Sequence, residues 1–257
     1  MTSSVRARFR PRVWATCCAA IATFVLCSTA AAAEEIRVLS SVGIKAVLDE
    51  LAPQFEQATK HKVTIVFGLA AALKTQIEKG EAFDVAILTP PLLDDLIARG
   101  LVPAKSTIAR TGLGLMIKAG APKPDVSSVD AFKRTLLAAR SITFASAGAS
   151  GVAFLATAKE LGIANAIKTR PAASGEEVNN NVLTDASDLA VLPISEILPV
   201  KGAMLGGAFP ADVQTYVVMA AGVNPKSPGT AAKDFVAFLT SPANNGVIRT
   251  TGMERLP

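Results

Sequence analysis

Residues 83–100, which read FDVAILTPPLLDDLIARG, decide the fold class. Residues 84–88 form an apolar run with the length of a buried strand, and the chain then passes directly into a helical pattern. That helix begins at Pro90-Pro91, since the N–H that proline lacks would be unpaired at the start of a helix in any case. It ends at Gly100. A strand followed at once by a helix is the building unit of an α/β protein.

The same alternation continues on both sides of this stretch. Pro53 lies inside the first predicted helix and predicts a bend or break near Ala52, since an interior proline costs about 3 kcal/mol. The other predicted strands are residues 36–40, 62–67, 112–118, 141–145, 188–192 and 213–221. The other predicted helices begin near residues 44, 70, 129, 151, 176, 230 and 243.

This order of elements predicts two lobes. We expect residues 34–112 with 217–257 to form lobe 1 and residues 113–216 to form lobe 2, with the strands at 112–118 and 213–221 passing between them. Each lobe would hold a mostly parallel sheet, because its strands are separated by helices. A cleft between the lobes is then the expected ligand site.

Residues 1–33 have the pattern of a cleavable export signal. Four arginines precede an apolar run at residues 13–30, and residues 31–33 are all alanine. The alternative is a membrane anchor, but the apolar run is short for a span. All cysteines (Cys17, Cys18 and Cys27) fall in this segment. Cleavage near Ala33 would leave 22 basic and 21 acidic residues, which is too balanced for a nucleic-acid-binding surface.

Reactive side chains are scarce in the rest of the chain. His61 is the only histidine, and it lies between two lysines in a predicted surface turn. The motifs of serine hydrolases, nucleotide-binding loops and zinc proteases are missing from the sequence. We therefore expect no enzyme activity, no metal and no cofactor.

Small and hydroxyl residues recur where a predicted strand passes into a helix. These junctions are at residues 40–43, 68–71 and 146–151. A helix start exposes unpaired N–H groups with partial positive charge, and small side chains let a ligand oxygen approach them. The alternative is that Ser40, Ser41 and Ser150 are ordinary helix caps. Ser195 and Glu196, after Pro193, either cap a short helix or face the cleft.

Several segments resemble a known family. Residues 36–41, 45–56, 67–78 and 83–87 resemble the first lobe of ModA-type molybdate-binding proteins, and residues 231–242 are similar to the closing helices of solute-binding proteins of ABC importers. The resemblance implies a type II periplasmic-binding-protein fold. It also implies a periplasmic monomer that binds molybdate, tungstate or a related oxyanion and delivers it to the permease of an importer.

The chain differs from this family at the positions that would bind the ligand. The family's hydroxyl residues fall on Gly43, on Leu69-Ala70 and on Pro193, so a small organic solute is the second hypothesis. An exported enzyme that uses Ser150 or Glu196 is the third. The predicted ligand-binding residues are Ser40, Ser41, Gly43, Leu69, Ala70, Ser146, Ser150, Gly151, Pro193 and Ser195.

Overall fold

The structure of the protein is a computed structural model that describes residues 1–2 and 33–256. The body of the predicted export signal, with its cysteines, lies outside the described residues. The strands are β1 Glu35–Ser41, β2 Lys62–Gly68, β3 Val85–Leu88, β4 Lys105–Lys118, β5 Ile142–Ala145, β6 Thr169–Ala172, β7 Leu189–Pro193, β8 Ala203–Ala208 and β9 Tyr216–Val223. The helices are α1 Lys45–Thr59, α2 Ala70–Glu78, α3 Pro90–Ala98, α4 Val129–Ala138, α5 Ala149–Glu160, α6 Gly175–Leu183, α7 Ile194–Ile197, α8 Ala231–Thr240 and α9 Asn245–Thr250.

The strands lie in the order β2-β1-β3-β9-β4-β7-β5-β6, and β8 also pairs with β4. The strands β2, β1 and β3 are parallel to one another, as are β7, β5 and β6, whereas β9, β4 and β8 add antiparallel pairs. The long strand β4 changes partners along its length: residues up to Gly112 pair with β9, and residues from Leu113 pair with β7 and β8. We call β2, β1, β3 and β9 with the first part of β4 the first half-sheet. The second half-sheet is the rest of β4 with β8, β7, β5 and β6.

Helices cover both faces of each half-sheet. Alternate residues of a strand point to opposite faces, and here the residues on both faces are apolar. In the first half-sheet, Val38 packs with Phe55 of α1 on one face, and the adjacent Leu39 packs with Leu73 of α2 on the other. In the second, Phe132 of α4 belongs to the same core as Phe55, while α6 and α7 cover the opposite face. No helix among residues 33–256 is both long and apolar enough to cross a membrane.

Two strands, β6 and β8, were not predicted from the sequence. The edge strand β6 contains Pro171 and is largely exposed, so it shows no apolar run. The strand β8 contains Gly206 and Gly207 because other residues pack onto its backbone: a Cβ on Gly207 would lie 2.4 Å from Cγ2 of Val126. Backbone pairing with β5 and β4, rather than side-chain alternation, makes these segments strands.

The helix α1 continues through Pro53 without a break, and the proline lies on the exposed side of the helix. The prediction for His61 was wrong. His61 is buried rather than at the surface. Its Nδ1 accepts a hydrogen bond of 3.0 Å from the N–H of Glu34, and its ring stacks on Phe55 at 6.0 Å between centres.

Candidate functional site

Two adjoining cavities lie between the half-sheets. The first has a volume of about 590 Å³ and is bordered by the starts of α2, α3 and α5, by the end of β7 and by β9. The second has a volume of about 630 Å³ and is lined by α1, the first turns of α6, α7 and the end of β2. Val42, Leu69, Gly175 and Glu196 line both cavities. Each volume is typical of a small-molecule site.

The helices that start at the first cavity lack side-chain caps. Among the described residues, no side chain accepts a hydrogen bond from the first turn of α2 or of α5. By contrast, Ser128 caps α4 and Ser174 caps α6, each through a bond of 3.2 Å. The first N–H groups of α2 and α5 are therefore unpaired and directed to the same cavity, an arrangement that suits a ligand carrying hydrogen-bond acceptors.

Half of the predicted ligand-binding residues line the first cavity. They are Ser41, Leu69, Ala70, Ser150 and Pro193. Ser150 lies in the first turn of α5, and its hydroxyl has no hydrogen-bond partner within residues 33–256. Ser195 lines the second cavity, as Leu69 also does. The structure thus brings the junctions at residues 68–71 and 146–151 together.

The remaining predicted residues line neither cavity. Ser40 is fully buried, and its hydroxyl donates to the carbonyl of Ser41 at 3.2 Å. Ser146 is exposed and donates to the carbonyl of Ala172 at 3.2 Å. Gly43 and Gly151 are packing positions, since a Cβ on Gly151 would lie 2.1 Å from the carbonyl oxygen of Ala145.

The junction at residues 40–43 also differs from the other two. It leads into a 3-10 turn, Val42–Ile44, that continues directly into α1, and the hydroxyl of Ser41 accepts a hydrogen bond of 3.4 Å from the N–H of Gly43. What it supplies is a contact between the half-sheets: the hydroxyl of Ser195 donates to the carbonyl of Gly43 at 2.8 Å. The backbone N–H of Ser195 in turn donates to the hydroxyl of Thr111 at 3.3 Å.

Glu196 is the charged residue that the site prediction left out. Its carboxyl lies between the turn at Gly43 and the start of α6, because a Cβ on Gly43 would be 3.5 Å from Oε1 and one on Gly175 would be 3.6 Å from Oε2. No hydrogen-bond donor or ion-pair partner reaches it from the described part of the chain. Burial raises the pKa of Glu196 to about 7. The signal that could have identified Glu196 as a site residue is its position in a four-residue helix directly after a strand.

The strand β9 supplies the floor of the first cavity through residues 216–219, which the sequence pattern marked only as a crossing strand. Tyr216, the only tyrosine in the chain, is 43% exposed, and the guanidinium of Arg110 lies 4.1 Å from the centre of its ring. Arg110 itself is ion-paired with Glu254 at 2.7 Å. No lysine or arginine among the described residues lines the first cavity.

Metal-binding side chains do not cluster within residues 33–256: no three His, Cys, Asp or Glu residues lie together there. The electrostatics of the first cavity therefore depend on the unpaired helix N–H groups and on one carboxyl, Glu196. Such an arrangement can hold the acceptor atoms of a solute, and the carboxyl can accept or donate one proton near neutral pH.

Comparison with known proteins gives a consistent family. The chain is 30% identical over 233 residues to a protein named aconitate isomerase from a Pseudomonas species, with 86% of this chain and 88% of that protein covered. It is 26% identical to the molybdate-binding protein ModA of Azotobacter vinelandii, over 88% and 92% of the two chains.

The solved structure of the Azotobacter vinelandii periplasmic molybdate-binding protein superposes with a TM-score of 0.72 at 20% identity, over 86% of this chain and 99% of that one. This similarity confirms the predicted type II fold. The family model described as bacterial extracellular solute-binding protein matches residues 36–254. The chain therefore belongs to the bacterial extracellular solute-binding protein family.

Proposed function

We propose that this chain is the periplasmic solute-binding component of an ABC importer and that its first cavity binds a small organic carboxylate. The observation that carries the proposal is the lining of that cavity. Uncapped starts of α2 and α5 offer N–H groups for a carboxylate, and the walls between them are apolar. Apolar walls can pack against the carbon atoms of an organic acid, whereas an inorganic oxyanion has no carbon atoms to pack against them.

Molybdate or a related oxyanion is the competing ligand. It is supported by the Azotobacter vinelandii relative and by the helix starts, which suit any anion. Against it stand the missing hydroxyls at Gly43, Ala70 and Pro193, since each hydrogen bond to a charged acceptor contributes about 1.5–3 kcal/mol.

An exported isomerase is a second candidate function. It is favoured by the 30% identical relative, whose name refers to an organic acid, and by Glu196. A carboxyl that faces a cavity, lacks a partner and has a pKa of about 7 is suited to moving a proton on a bound substrate. In this hypothesis Ser150 and the helix starts would position the substrate while Glu196 transfers the proton.

Calorimetry on the exported, purified protein tests these alternatives. The ligands are citrate, trans-aconitate, succinate and glutarate in one set, and molybdate, tungstate and sulfate in the other. We expect heat and a raised melting temperature only with the organic acids. Binding of oxyanions alone would replace the proposal by the competing one, and no binding by either set or by any amino acid would reject both.

Turnover is measured separately. Each organic acid that binds is incubated with the protein, and the products are followed by nuclear magnetic resonance in D₂O. Exchange or isomerisation that disappears in Glu196→Gln supports the isomerase. Binding without any exchange supports a purely transporting role, with the importer permease as partner.

A further inference from the structure

The second cavity differs from the first because side chains of three helices contribute most of its polar lining. From α1 it receives Lys45 and Asp49, which are four residues apart and so share one face. From α6 it receives Gly175 and Asn179 at the same spacing, with Glu176 beside them. The helix α7 adds Ser195 and Glu196. Helices from both half-sheets therefore face one another across it.

The charges in this cavity do not balance. The ammonium of Lys45 is held by both carboxylate oxygens of Asp49, at 2.8 Å and 2.7 Å, and also lies 4.8 Å from the centre of the Phe67 ring. Glu176 and Glu196 have no ion-pair partner among the described residues. An excess of negative charge remains, and of its two unpaired carboxyls Glu196 is less exposed than Glu176.

A second acceptor in the same cavity also lacks a partner. The Oδ1 atom of Asn179 is buried, and no donor within residues 33–256 reaches it. Buried acceptors in folded proteins are almost always paired, because an unpaired one loses its hydrogen bonds to water without replacement. Asn179 and Glu196 thus leave two acceptors for which the described chain supplies no N–H group.

We propose that the second cavity is a subsite for a protonated amino group of the bound solute, with Glu196 and Asn179 as its acceptors. This inference rests on the proposed binding of an organic carboxylate in the first cavity. Because Glu196 lines both cavities, a short aminocarboxylate would span them. Its carboxylate lies at the starts of α2 and α5, and its ammonium lies against Glu196.

The subsite predicts the direction of the pH dependence. In the empty protein, burial holds the pKa of Glu196 at about 7, so part of the carboxyl is protonated at neutral pH. An ammonium favours the ionised form, and binding then releases a proton. Affinity for an aminocarboxylate should therefore increase from about pH 6 to about pH 8. The other titratable groups that face this cavity are Lys45, Asp49 and Glu176.

Calorimetry with matched pairs of probes tests the subsite. The pairs are glutamate with glutarate, aspartate with succinate, and 5-aminovalerate with valerate. We expect the amino-bearing member of at least one pair to bind about tenfold more tightly or better, with the preference growing as the pH rises. Glu196→Gln should remove both the preference and its pH dependence. Glu160→Gln, on the exposed end of α5 outside both cavities, should leave them unchanged.

A second variant separates binding from folding. Asn179→Leu removes an unpaired buried acceptor, so the melting temperature should stay the same or rise, while the affinity for the amino-bearing probe falls severalfold. Tighter binding of the acids without an amino group, strengthening as the pH falls, would overturn the subsite and leave the proposed function standing. Failure of every organic probe would overturn the proposed function itself.

Discussion

The two cavities share Glu196 but are built on different principles. The first lies where strands end and helices start, so its polar groups belong to the main chain and its side chains are small or apolar. The second is lined mainly by α1, α6 and α7 with the end of β2, and most of its polar groups are side chains, among them Lys45, Asp49, Glu176 and Asn179. Main-chain donors recognise any acceptor, whereas placed side chains select one kind of ligand group.

The largest expected effect is a loss of stability from a substitution at the start of α5, which borders the first cavity. In Gly151→Ala, the new Cβ would lie 2.1 Å from the carbonyl oxygen of Ala145, so the start of α5 must move away from β5. We expect the free energy of unfolding to fall by about 3 kcal/mol, measured by urea denaturation. The control is Gly246→Ala in α9, where a Cβ meets nothing within 4 Å and should stabilise by about 0.5–1 kcal/mol. Equal effects of the two changes would contradict the packing of α5 described above.

The next effect concerns Glu196, the charged residue that lines both cavities. The folded pKa of Glu196, about 7, is above its unfolded value of 4.5, so the folded chain holds the proton more tightly and loses stability as the pH rises between these values. Glu196→Gln carries no charge, and at about pH 8 we expect it to be about 2 kcal/mol more stable than the parent chain. At about pH 4 the two should be alike. The unfolding free energy across this pH range is the measurement, and a variant that is less stable at high pH would disprove the assignment.

A smaller effect tests the contact between the half-sheets. Ser195→Ala removes the hydrogen bond of 2.8 Å to Gly43 and leaves a buried carbonyl unpaired. The expected loss is about 1–2 kcal/mol in the free energy of unfolding. Ser127→Ala serves as a matched control, since its hydroxyl bonds to the exposed Asp125 and its loss should matter less. If Ser195→Ala were silent, the half-sheets would not depend on this bond.

The smallest effect lies at the rim of the second cavity. Asp49→Asn breaks an exposed pair with Lys45 at an i,i+4 spacing, which contributes about 0.3–0.5 kcal/mol. Thermal unfolding at low and high salt would detect it, because screening should remove the difference. A change above about 1 kcal/mol, or one that persists in high salt, would mean that Lys45 has a larger role than this pair explains.

Most helices and strands follow from the sequence because their signals are local. The run at residues 84–88, Pro90-Pro91 and Gly100 predict β3 and α3 without knowledge of the rest of the chain. The strands β6 and β8 could not be predicted in this way, since pairing with neighbours distant in the chain makes them strands. His61 was misplaced for the same reason: its burial depends on Phe55 and Glu34, not on the lysines beside it.

The sequence by itself determined that small residues begin α2 and α5 and that few reactive side chains exist. Only the tertiary structure decided which of those helix starts share a cavity and which, like the turn at residues 42–44, hold the half-sheets together. It also decided the character of Glu196, an ordinary carboxyl in the sequence that becomes a partly buried group with a raised pKa and no partner among the described residues. The physical reason is that local propensity depends on neighbours along the chain, whereas burial and missing partners depend on what the folded chain brings close.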